Sequence, residues 1–258
     1  EQTIIDGQGL RRGILTNSGE SSQMVIKGFT IQNGNAEHGG GMRCYWDSQP
    51  TLKNCVFRNN VAVYGGGVSN ESDIILFDCT FENNAAERGG AVGNSWGASP
   101  RFIRCSFISN TAGGYGGGIR NYEAETSEFI ECAFIGNIAG ETGGGISNNN
   151  STTSLFDCTF DGNEAEFGGG IHSDGGTLNV EACNFKDHAA GAGGGLYSYG
   201  TSVTVTGSDF IGNSVYWDGG GIDANWGDLL VDNCRFDNNE ANYLGGGISI
   251  YGTSTQIT

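Results

Sequence analysis

The sequence is poor in most of the features that mark common function classes. Only 12 of its 258 residues are Lys or Arg, against 29 Asp and Glu, and no basic cluster occurs. That argues against nucleic-acid binding and against attraction to an anionic membrane. No run of 18 apolar residues exists, so no transmembrane helix is expected. No window of 11 residues carries an apolar stripe at helical spacing, which nearly excludes helices. Proline occurs twice, and neither a charge run nor a biased tail divides the chain, so a single domain over residues 1–258 suffices. There is no Cys-x-x-Cys and no His pairing of the kind a zinc site uses, and no metal site is assigned. No leader peptide opens the given sequence, as in a mature or trimmed chain.

Glycine is abundant, with 47 residues. Much of it falls in triplets that start at Gly39, Gly65, Gly89, Gly116, Gly143, Gly168, Gly193, Gly219 and Gly245, spaced 24–27 residues apart. Each triplet is Gly-Gly-Gly, or Gly-Gly-Ala at Gly89–Ala91, and is followed by an aliphatic residue: Met42, Val68, Val92, Ile119, Ile146, Ile171, Leu196, Ile222, Ile248. A fixed period of this length marks a repeat architecture. Further columns align. Cys-x-Phe recurs at Cys55/Phe57, Cys79/Phe81, Cys105/Phe107, Cys132/Phe134, Cys158/Phe160, Cys183/Phe185 and Cys234/Phe236. An Asn follows three residues later, from Asn60 to Asn239, with Gly34 and His188 as exceptions. An Ala column comes next, and an apolar column running from Ile26 to Val231 precedes the Cys.

Short runs with period-two alternation, separated by Asn, Gly and Ser, read as two or three strands of three to five residues per repeat. Such a repeat climbs by one strand spacing per turn. The expected fold is all-β, a right-handed parallel β-helix (solenoid) of about nine coils of 24–27 residues, the hand following from the right-handedness of parallel crossovers. At ~4.8 Å per coil the rod is roughly 45 Å long. A propeller blade needs about 40–45 residues, which disfavours a propeller.

In such a coil like residues stack on like. Phe stacks on Phe, and Cys packs as a small buried hydrophobe. Asn bonds its amide along the axis and tolerates the left-handed turn conformation. The seven column cysteines lie near enough for an occasional bridge between neighbours, but buried free thiols are the first expectation. Cys44 stands apart, where other repeats carry Asn70, Asn94, Asn121 and Asn148. His38 and His188 read as turn residues.

The repeated Gly-Gly-Ala-Ile-like and Phe-x-x-Asn motifs resemble those of the polymorphic outer membrane proteins of chlamydiae, and of bacterial surface β-helix proteins more widely. The resemblance runs from about Ile26 to Ile248. It implies secretion to an extracellular or cell-surface location and a passenger role in adhesion or surface display. The chain departs from that family in its mostly Gly-Gly-Gly triplets and in having no C-terminal β-barrel segment.

Function must come from residues that do not repeat. Aromatics recur after the triplets, at Tyr45, Trp46, Trp96, Tyr122, Tyr199, Trp226 and Tyr251, interleaved with Asn, Asp and Glu. Stacked coils place them along one edge, where they can bind sugar rings or a protein partner, or simply cover the turns. A second line, Tyr64, Tyr115, Phe167, Trp217 and Tyr243, is read as packing against loops. For catalysis the sharpest candidates are Arg120, His172 and Asp223, directly after the aliphatic column. His172 and Asp223 would lie two coils apart, about 10 Å by the strand spacing, too far for a hydrogen bond. A uronate lyase would call on clustered Arg/Lys or bound Ca²⁺; no other cofactor is implied. Arg101 and Arg104 fall together without a partner cluster.

Three readings stay open. The first is a non-enzymatic adhesin-like or structural rod binding a carbohydrate or a neighbouring surface protein. The second is a polysaccharide lyase or hydrolase on the same scaffold. The third follows from an opening on strand-like Glu1–Ile5 and a close at Thr253–Thr258, midway through a coil: either a fragment of a longer rod, or a subunit that stacks end to end into filaments.

Overall fold

The computed structural model describes residues 3–258, so of the strand-like opening Glu1 and Gln2 lie outside the described residues, while Thr3–Asp6 is a strand. Every strand pairing is parallel, and each strand pairs with its counterpart one repeat away. The result is a parallel β-solenoid. Three sheets run its length. The first has ten strands and carries the x-Phe segments such as Val56–Arg58. The second has nine, such as Val61–Tyr64, and follows the Asn column. The third has 18 strands and merges two stacks: the segments after the triplets, such as Val68–Asn70, and those before the Cys, such as Ile75–Phe77.

Each coil therefore has up to four strands, not two or three. The additional one contains the Ala column, which sequence patterning shows poorly because alanine is a weak hydrophobic marker. Strand lengths also exceed expectation twice: Ile146–Phe156 and Ile171–Glu181 each span 11 residues. Between them the pairing skips only Asn150 and Gly175 at the corner and resumes with Ser151 opposite Gly176, and so fuses the two stacks.

The coil turns at residues in the left-handed region. One lies directly before the Cys column (Asn54, Asp78, Arg104, Glu131, Asp157, Ala182, Asn233). Another lies directly before the Asn column (Asn59, Asn83, Ser109, Asp187, Asn238), and a third is the first glycine of each triplet. The ladder asparagines themselves do not take positive φ, contrary to the sequence reading. They satisfy their amides along the axis instead. Asn84 Nδ2 donates to the Phe57 carbonyl at 2.9 Å and to Asn110 Oδ1 at 3.0 Å, and Asn84 Oδ1 accepts from the Asn60 amide at 3.1 Å. That accounts for buried amides with no cost of unmade bonds.

The core is one continuous stack. Phe57, Phe81, Phe107, Phe134, Phe160, Phe185, Phe210 and Phe236 stack face to face at centroid spacings of 4.6–5.1 Å, which is the rise per coil. Phe102 and Phe129 meet this stack edge-on at 5.7 Å. All eight cysteines are free thiols, and seven of them are buried. Burial pushes the Cys105 thiol up, which keeps it protonated and inert. Cys44 occupies the head of a second, shorter Asn ladder, opposite Asn70, and donates to the Ser48 carbonyl at 2.9 Å.

Candidate functional site

The Gly triplet joins the second sheet to the third through a bend that is concave outside. At Gly193 an added Cβ would lie 2.6 Å from Tyr197 Cβ, and at Gly219 it would lie 2.6 Å from Asp223 Cβ. Glycine thus lets the outward column after the triplet fold back against the bend. Two outward columns face each other across it. The second sheet ends in His38, Tyr64, Arg88, Tyr115, Thr142 and Phe167, in register. The third sheet presents Ser69, Gly93, Arg120, Ser147, His172, Tyr197 and Asp223, also in register.

Between these columns runs a groove. One part, about 420 Å³, is lined by Glu37, His38, Tyr64, Glu71, Arg88, Asn94, Trp96, Arg120 and Tyr122 among others. The next, about 430 Å³, shares Arg88, Arg120 and Tyr122 and continues over Tyr115, Asn149, His172 and Asp174. Tyr64 and Tyr115 of the second aromatic line therefore do not pack against loops. Tyr64 and Tyr115 form a wall of the groove. His38 is not in a turn either: it ends the strand Asn35–His38 and stacks on Tyr64 at 4.7 Å. Trp217 is displaced by one position from the line but stacks on Phe167 at 5.8 Å. Sequence reasoning passed over Arg88. Its signal was positional: it directly precedes Gly89 as Tyr64 precedes Gly65.

Arg88 lies over the rings of Tyr64 (5.4 Å) and Tyr115 (5.8 Å). Arg120 lies over Tyr115 (5.7 Å) and Tyr122 (4.5 Å). Burial, then repulsion from Arg88, lowers the pKa of Arg120. Of the nearby acids, Glu71 pairs with Arg43 at 2.9 Å and Glu141 raises the pKa of the Tyr115 phenol, while Glu37 and Asp174 line the same groove. Arg101 and Arg104, by contrast, pair with Glu128 and Asp78.

The three catalytic candidates share one outward column but do not meet. Ser147 separates Arg120 from His172, and Tyr197 separates His172 from Asp223. His172 stacks on Tyr197 at 5.4 Å; burial lowers its pKa to about 4, and its Nδ1 has no partner. Burial raises Asp223 to about 6, and Asn225 Nδ2 donates to it at 3.2 Å. Among the described residues no group of three or more His, Cys, Asp or Glu is placed to hold a metal ion.

The edge aromatics fall in two adjacent columns. Tyr45, Tyr122, Tyr199 and Tyr251 occupy one, with Tyr122, Tyr199 and Tyr251 in a single register chain. Trp46, Trp96 and Trp226 follow at the next position, and they pair edge-to-face with Tyr45 (5.5 Å), Tyr122 (6.4 Å) and Tyr251 (5.0 Å). They form separate clusters, not one strip, because Asn149 and Asp174 fill the coils between. Only Trp96 and Tyr122 line the groove. All three tryptophans sit in the left-handed region, at φ of 58°, 60° and 54°, and are 73, 70 and 54% exposed. Other coils place Gly175, Gly200 and Gly252 at this corner, also at positive φ.

These features define a parallel β-solenoid repeat protein with a polar-aromatic groove along one bend. The chain belongs to the right-handed beta helix family, whose model matches residues 3–134, just over half of the sequence. The hand of the coil expected from the sequence is that of the family. The Chlamydia polymorphic membrane protein repeat matches residues 157–174, which span Cys158-x-Phe160, Asn163 and Gly168–Ile171. No curated protein sequence and no solved structure matches the chain. Among the described residues no helix is long and apolar enough to cross a membrane.

Proposed function

We propose that this chain is a surface-displayed, adhesin-like rod that binds saccharide along the groove beside Trp96, with Trp46 and Trp226 offering further aromatic faces along the same edge. The observation that carries the reading is the placement of Trp46, Trp96 and Trp226. A bulky residue in the left-handed region costs about 1–2 kcal/mol relative to glycine. Three coils use glycine there, Gly175, Gly200 and Gly252, and avoid the cost, while Glu123 and Asn150 take the same corner at φ of 50° and 47° with smaller side chains. At this strained corner each large ring is more than half exposed and gains from the fold only an edge-to-face contact with one tyrosine, and such local strain concentrates where a ligand is met. Exposed aromatic faces with amides and hydroxyls beside them suit sugar rings. The surface location rests on the polymorphic membrane protein repeat matched at residues 157–174.

The alternative, a lyase or hydrolase, would need a proton-transfer pair within reach of one sugar ring. Arg120, His172 and Asp223, separated by intervening rungs, do not supply one. Incubation with a panel of neutral and uronate-rich polysaccharides, with and without Ca²⁺, followed by chain-length analysis, tests this directly. Retention on one polysaccharide with unchanged chain length is the expected result. Shortened chains would overturn it.

A further inference from the structure

We infer that the Arg88–Arg120 pair is a seat for an oxyanion carried on the bound sugar, so that the ligand is an acidic saccharide. The inference rests on the groove being a saccharide site.

The molecule carries a formal net charge of −17, yet among the described residues these two guanidinium groups have no carboxylate within salt-bridge distance, while Arg43, Arg101, Arg104 and Arg235 each have one. Arg12 and Arg58 also lack one but donate instead to the His38 carbonyl and the Gln32 side-chain amide. Their positions are held from below and from both sides. Both lie against the one ring of Tyr115, at 5.8 and 5.7 Å, and Tyr64 and Tyr122 flank them. The ladder spacing puts the two columns in adjacent coils, with Arg88 leading into the triplet at Gly89 and Arg120 following the one at Gly116. Two like charges facing one groove repel, and an anion between them removes that cost. The planar fork of arginine matches a carboxylate or a sulfate ester, each taking two donors at once. The tyrosine faces and Trp96 are then left to stack on the sugar ring that bears the charge. The shared chemistry is an oxyanion on a pyranose; uronic acids and sulfated sugars are its two sources.

Calorimetric titration with neutral, uronate and sulfated oligosaccharides of equal length tests the inference. Either acidic series is expected to bind at least about tenfold tighter than the neutral one, the size of one good charge-assisted contact. Uronate ranking above sulfate identifies a carboxylate ligand, and the reverse order a sulfate ester. Arg88→Gln and Arg120→Gln should each bring the ratio of acidic to neutral affinity close to one, whatever each does to the affinity for the neutral series. Arg104→Gln, whose partner is Asp78, should change neither. If Arg120→Gln fails to fold, Arg120→Lys keeps the charge and loses the fork, and at least about a threefold loss of preference is expected. Full preference retained in Arg120→Lys would contradict the forked contact. Equal affinity for acidic and neutral ligands overturns the seat and leaves the groove standing; no saccharide binding at all overturns both.

Discussion

At the scale of single residues, His188 shows how strictly a ladder position is specified. It interrupts the run from Asn60 to Asn239. Its Nδ1 accepts from the Asn163 amide at 3.0 Å, and its own amide donates to Asn213 Oδ1 at 3.2 Å, but Nε2 is buried without a partner. Burial lowers its pKa to about 3. The unfolded chain therefore takes up a proton near pH 6.5 that the folded chain refuses until about 3. Stability from this group is complete above 6.5 and is lost as pH falls through that window, by up to about 1.4 kcal/mol per pH unit. His172 has the same sign. Asp223, raised to about 6 from 3.8, has the opposite sign, losing stability as pH rises between those values. The difference between wild type and His188→Asn isolates the one group. Denaturant unfolding should show the variant more stable by about 1 kcal/mol at pH 7.5, since a full amide rung is restored. Its advantage should grow as pH falls from 6.5 to 5.5. A constant advantage would mean that His188 is not held neutral. The replacement of Asn by His188 was legible in the sequence. The left-handed residues were not, because Arg104, Glu131 and Ala182 give no compositional sign that they turn the chain.

At the scale of the repeat, the triplet is three different requirements, and the chain itself contains the experiment that separates them. In Gly65–Gly67 the first glycine has φ of 63°, and a methyl on it would press into the Val68 carbonyl. A methyl on Gly66 would meet backbone of the next coil, 2.6 Å from the Ala85 oxygen. Gly67 is crowded too, 2.7 Å from the Ala91 oxygen and 2.9 Å from Phe81 Cδ1, yet the neighbouring coil carries a fully buried alanine at that same position, Ala91. Gly67→Ala is therefore expected to cost about 1 kcal/mol and Gly66→Ala about 3 kcal/mol, because the methyl at Gly66 meets only backbone, and more closely, whereas the position of Gly67 already holds an alanine one coil away. Thermal unfolding midpoints of the two variants check the order; equal losses would contradict it. Stacked columns are what made the fold readable from spacing alone. The groove was less readable, since the line from Tyr64 to Tyr243 looks irregular until Trp217 and Tyr243 are seen to be shifted by one position. Which face of the bend is concave depends on backbone direction, which column alignment does not carry.

At the scale of the whole molecule, the solenoid separates structure from recognition. Each coil contacts its neighbours only, so stability accumulates rung by rung while outward positions vary freely. That freedom is used at one bend, where the paired arginines and the tyrosines beside them converge with Trp96. Tyr199 and the cluster of Trp226 with Tyr251 extend the same edge further along the axis. The account holds that Trp96 is kept for binding at the expense of the fold. The most direct measurement is a paired one on Trp96→Gly: unfolding free energy from denaturant titration, and calorimetric affinity for the saccharide that the wild type retains. The account predicts a variant at least as stable as the wild type, by up to about 1 kcal/mol, because glycine relieves the left-handed corner. It also predicts affinity reduced roughly tenfold or more, as for loss of an aromatic anchor. A destabilised variant with unchanged affinity would show that Trp96 only covers its corner, and the binding groove would lose its principal support.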